Sequence, residues 1–147
     1  MFSISEIAAN VGKVESDLVV GISDDEIDQL RISWNFQQLP RTYIDFLRLM
    51  GRAAGKILQG TDAFFPVILD MQRASGRFFE DNLGGMQLPP GAFVFAMHQG
   101  YQVYWMESTN LSDPAVVLYM EQEPSPMARW QSLTEFFNAE YSAAYTS

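Results

Sequence analysis

The sequence predicts a single α+β domain, a mostly antiparallel sheet of about five or six strands packed with helices, on three observations. Residues 92–106, Ala-Phe-Val-Phe-Ala-Met-His-Gln-Gly-Tyr-Gln-Val-Tyr-Trp-Met, read as two strands joined at His98-Gln99-Gly100, apolar on both faces and therefore covered on both. Three segments open with the Ser-x-x-Glu pattern of a capped helix, at Ser3, Ser23 and Ser132. Strand-like runs gather between residues 92 and 131, with helical periodicity on either side. A chain of 147 residues that is 48% apolar can bury one sizeable core, which sets it apart from disordered sequences.

Taken in order, Ser3 and Glu6 cap a short helix whose inward face is Ile4, Ile7, Ala8 and Val11, with Phe2 and Ile7 placed as a hydrophobic staple and Gly12 as the stop. Leu18 to Val20 suits a short extended piece. Ser23-Asp24-Asp25-Glu26 caps the next helix with negative charge at the positive end of its dipole, and this acidic cluster lacks the glycine and terminal glutamate of a calcium loop. Trp34 and Phe36 alternate with polar residues where the chain crosses apolar surface. Pro40 opens a core helix with Tyr43, Phe46, Leu47 and Met50 inward and Arg41, Asp45, Arg48 and Arg52 outward, as an ion-pair face or a partner-binding stripe; Gly51 closes it. Residues 51–57 fail the phosphate-loop pattern, with three residues between the glycines and Ile57 after the lysine, and Lys56 to Gln59 reads as a short strand.

From Pro66 to about Leu83 the recurrence of Val67, Ile68, Met71, Ala74, Phe78 and Phe79 predicts one long helix, weakened at Gly76 and ended by Gly84-Gly85. In the hairpin, a two-residue Gln99-Gly100 turn would pair Met97 with Gln102 and Phe95 with Tyr104. Residues 115–120 form the next strand, 121–126 an acidic, proline-limited loop, and 127–131 a last edge strand. Ser132 opens a closing helix that buries Leu133, Phe136, Phe137, Tyr141 and Ala144.

Charge and composition exclude several functions. The net charge is −9, and from Glu80 onward Arg129 is the only base against eight acids, a field that repels nucleic acid and anionic lipid. That excess serves either solubility or a basic partner. With no cysteine there is no thiol nucleophile or thiolate metal site, and no apolar run approaches the roughly 20 residues of a membrane span, so a cytoplasmic protein without membrane association is expected. The single histidine, His98, sits at a turn with no nucleophile, zinc pair or phosphate cradle near it in sequence. Neither a cofactor nor a metal is expected.

Three signatures resemble the SUKH superfamily, which groups a yeast regulator of cell-wall synthesis with many bacterial immunity proteins. They are the helix Leu39-Pro40-Arg41-Thr42-Tyr43-Ile44-Asp45-Phe46-Leu47-Arg48-Leu49-Met50-Gly51, the hairpin after Leu88-Pro89, and Ser132-Leu133-Thr134-Glu135-Phe136-Phe137. The similarity covers residues 23–145 and leaves 1–20 as an N-terminal extension with a short helix. Two departures from the family pattern, Arg52-Ala53-Ala54-Gly55 after the Leu-Pro helix and Gly100-Tyr101 in the hairpin loop, bear on subfamily and partner and leave the fold untouched. The resemblance implies a non-catalytic protein-binding module that neutralises a cognate, basic toxin domain by stoichiometric occlusion. It leaves open a regulatory scaffold that binds a cellular partner, and an enzyme of unknown type would need a pocket of titrating groups. Glu107, Asp113, Glu121 and Glu123, near the loops after the central strands, are the expected partner-binding carboxylates.

Overall fold

The computed structural model describes residues 1–145. It is an α+β domain in which a four-stranded antiparallel sheet lies between helices, with a separate two-stranded antiparallel ribbon beside it. The six strands therefore divide into two sheets.

The first helix, α1 (Ile4–Val14), is capped by Ser3 and Glu6 reciprocally and buries Ile4, Ile7, Ala8 and Val11. It runs through Gly12 and stops after Val14, which is exposed; Val11 is the last residue of its buried face. Phe2 turns to the last helix, where its ring meets Tyr141 edge-on at 5.7 Å and its backbone is held by Asn138. The N-terminal segment is thus integral to the core. A 3₁₀ turn (Ser16–Leu18) leads to β1 (Val19–Val20), then α2 (Asp24–Ser33), again opened by a complete capping box, and α3 (Arg41–Met50).

The strand partnering β1 is β2 (Ala53–Ala54), earlier than the Lys56 to Gln59 expected; those residues form turns instead, with Leu58 at a positive φ of 55°. The long helix expected from Pro66 is a 3₁₀ turn (Val67–Asp70) followed by α4 (Met71–Glu80). Val67 is exposed and sits outside the apolar face, while Ile68, Met71, Phe78 and Phe79 are buried. The helix stops at Glu80 because Asn82 leaves it to enter a buried network described below.

The main sheet has the order β3 (Phe93–His98), β4 (Gln102–Met106), β5 (Val116–Met120), β6 (Ala128–Trp130). The hairpin differs from the sequence expectation in register. His98 faces Gln102 and Met97 faces Val103 across a three-residue loop in which Gln99 and Gly100 both take positive φ, and a bulge at Phe95 then sets Ala96 opposite Tyr104. The bulge carries the Phe95 ring toward Tyr43 and Phe136, while Met97 falls on the opposite face. β4 is internal; β3 is an edge strand whose free side is closed by Asp62, which exchanges both backbone bonds with Met97 at 2.8 and 3.0 Å. One face of the sheet packs on α3 and on α5 (Leu133–Tyr145), through Phe136 against Phe95, Tyr104 and Trp130. The other packs on α4, through Phe79 and Phe78 against Trp105 and Tyr119.

Candidate functional site

The four carboxylates expected to form one surface lie at opposite ends of the sheet. β4 and β5 are antiparallel, with Met106 opposite Val116 at one end and Gln102 opposite Met120 at the hairpin end. Glu107 and Glu121 each lie one residue beyond a strand end and so stand about 20 Å apart along the strand direction, with Asp113 and Glu123 in the loops at those same two ends. Both oxygens of Glu107 accept from the Arg129 guanidinium, at 2.9 and 3.0 Å, and this partner holds its carboxyl below the usual range. Asp113 accepts from the Thr134 backbone N–H at 3.0 Å and from its hydroxyl at 2.7 Å, which caps the start of α5. Ser132 accepts from Glu135 N–H as the third capping box predicts, while the Glu135 carboxylate reaches one residue further back, to Gln131 N–H. Glu107 and Asp113 thus have roles in holding the fold.

At the hairpin end the geometry is different. Asn82 is 1% exposed and fully bonded: its amide donates to Met86 C=O (2.7 Å) and to the Tyr119 hydroxyl (2.8 Å), and its Oδ1 accepts from Gln122 N–H (2.6 Å). Tyr119 donates in turn to Glu123 C=O at 2.6 Å, and the Gln122 side chain donates to Asp81 C=O at 3.2 Å. Gly85 is required here, since a Cβ would stand 2.5 Å from the Asn82 amide and the Tyr119 hydroxyl. This buried network ties the 121–123 loop to the end of α4. It brings Glu121 and Glu123 beside Glu80 and Asp81, four exposed carboxylates with no ion pair or hydrogen bond of their own among the described residues. Leu83, 80% exposed, follows directly in the chain.

Sequence reasoning placed Glu80 and Asp81 in the acidic half of the chain and missed them as members of this surface. A local signal was present. Acids at the C-terminal end of a helix oppose its dipole, so Glu80 and Asp81 do nothing for α4, whereas Asp24, Asp25 and Glu26 support the start of α2. Six of the nine basic side chains are committed to ion pairs elsewhere, among them Arg48 with Asp24 and Arg52 with Glu26. The outer face of α3 is accordingly an ion-pair face.

His98 ends β3, with its Nδ1 3.0 Å from the Thr61 hydroxyl and, among the described residues, no carboxylate hydrogen-bonded to it. Among the described residues, no group of three or more histidine, cysteine or acidic side chains is placed to hold a metal, and no helix is long and apolar enough to cross a membrane.

A helix-covered antiparallel sheet with a pinned acidic loop at one end defines the chain as a single α+β domain. The family model described as SMI1 / KNR4 family (SUKH-1) matches residues 21–139, and the chain belongs to that family, whose members bind protein partners. A comparison with curated proteins gives no match.

Proposed function

We propose that this chain is a non-catalytic binding module that neutralises a cognate basic toxin domain by stoichiometric occlusion, with the hairpin end of the sheet as its contact surface. The observation that carries this reading is the set of four carboxylates without a partner among the described residues, Glu80, Asp81, Glu121 and Glu123, held by the buried Asn82–Tyr119 network next to an exposed leucine. Charge that contributes nothing to the fold, fixed on a rigid support, suits steering and discrimination of a basic protein, and Leu83 supplies an apolar anchor within the charged rim. Glu107 and Asp113 contribute to the same end indirectly, by holding β6 and α5.

Affinity capture from the native host's lysate, eluted in rising salt, tests the proposal. One stoichiometric basic partner, released only at high salt and inactive while bound, is the expected result, and replacement of His98 leaves neutralisation intact. A set of several weakly held partners would instead assign the chain to the regulatory scaffolds of its superfamily.

A further inference from the structure

On the face of the sheet away from α4, a cleft of about 320 Å³ opens between α5, the hairpin and the 56–61 turns. Its floor is Gln102 and Tyr104, and its α5 wall is Glu140, Ala143 and Ala144. Glu140 is out of place there. It lies four residues beyond Phe136 and four before Ala144, on the inward stripe of the helix, where the pattern calls for an apolar side chain. It is half-buried and has no hydrogen-bond or ion-pair partner among the described residues; burial alone pushes its carboxyl above the usual range. A carboxylate brought out of water without a partner costs stability, so the fold does not explain it.

The other charged groups of the cleft are turned elsewhere. The Lys56 ammonium lies over the Tyr145 ring at 5.8 Å, and His98 faces Thr61. Acceptors remain in the Tyr104 hydroxyl and the Gln102 and Gln59 amides, and the cleft also carries the apolar walls of Leu58, Ala143 and Ala144.

We infer that this cleft is a subsite for a primary alkylammonium group, with Glu140 as its counter-ion, the neighbouring acceptors on its N–H donors, and the apolar wall along its stem. The chemistry is that of a lysine side chain or of a free polyamine. A partner lysine is the assigned source, because the cleft and the Glu121 loop share the hairpin end of the sheet, and that assignment rests on the proposed function.

The test is a ¹H–¹⁵N titration of the whole chain with Nα-acetyl-lysine N-methylamide, its Nε-acetylated counterpart, and spermidine. Saturable shifts centred on Thr61, Gln102 and Ala143 are expected with the free amine in the millimolar range and absent with the acetylated probe. Glu140→Gln should weaken binding about tenfold or more while leaving Tm unchanged or higher, since it removes a poorly solvated charge. Lys56→Met should tighten a cation and would loosen an anion. Spermidine binding far tighter than the lysine probe would make the free polyamine the source and overturn the partner lysine. No saturable shift, or equal binding of both lysine probes, would overturn the site itself. No partner protein enters the titration, so its outcome is independent of whether capture finds a toxin.

Discussion

Two single side chains show how the core is satisfied and where it is not. Tyr43 is fully buried among Phe46, Phe93 and Phe95, and its hydroxyl has no partner among the described residues, so burial pushes the phenol far up. Tyr43→Phe keeps the ring and removes the stranded hydroxyl; it should raise stability by about 1 kcal/mol, read as a higher urea midpoint at unchanged m. Asn82 is the opposite case. Asn82→Ala leaves the Gln122 N–H and the Met86 carbonyl without partners and should cost about 2–3 kcal/mol, with faster amide exchange in residues 121–123. Neither role was legible in the sequence. Tyr43 reads only as an inward residue of a helix, and the bonds of Asn82 reach 37 and 40 residues along the chain to groups that no local pattern connects to it.

Elements whose causes are local were the readable ones. The boxes at Ser3 and Ser23 formed as complete caps because both partners lie within one turn. Their glutamates, Glu6 and Glu26, accept backbone N–H bonds that hold both carboxyls below the ordinary value of 4.5. A carboxyl lowered by folding stabilises the chain above its unfolded value and loses that contribution as pH falls through the folded one. Stability should therefore decline as the solution is acidified below 4.5, and Glu6→Gln with Glu26→Gln, which keeps the capping geometry, should make the decline shallower in urea titrations across that range. Elements set by distant packing were read less well. The Phe95 bulge, which reassigns Met97 to the other face, answers to Tyr43 and Phe136, and α4 ends where Asn82 is drawn inward. At the start of α5, Asp113→Ala should cost about 1 kcal/mol through its lost cap at Thr134, with partner affinity per folded molecule unchanged.

Across the whole molecule, an overall charge of −9 could be counted from the sequence, but its distribution could not. Pairing consumes most of the basic side chains along α2, α3 and β6, and the charge left over includes the four carboxylates gathered at the hairpin end by a network that the sheet topology creates. Of the four carboxylates expected at a partner contact, Glu121 and Glu123 lie at this end, while Glu107 and Asp113 lie at the other and are bonded to Arg129 and Thr134. The measurement that tests this most directly is the association rate of the captured partner as a function of ionic strength, for the native chain and for Glu80→Gln, Asp81→Asn, Glu121→Gln, Glu123→Gln combined. The rate should fall steeply with salt for the native chain, and for the variant it should be about tenfold lower at low salt with a much flatter dependence, at unchanged urea stability. Equal rates and equal salt slopes for the two proteins would contradict it.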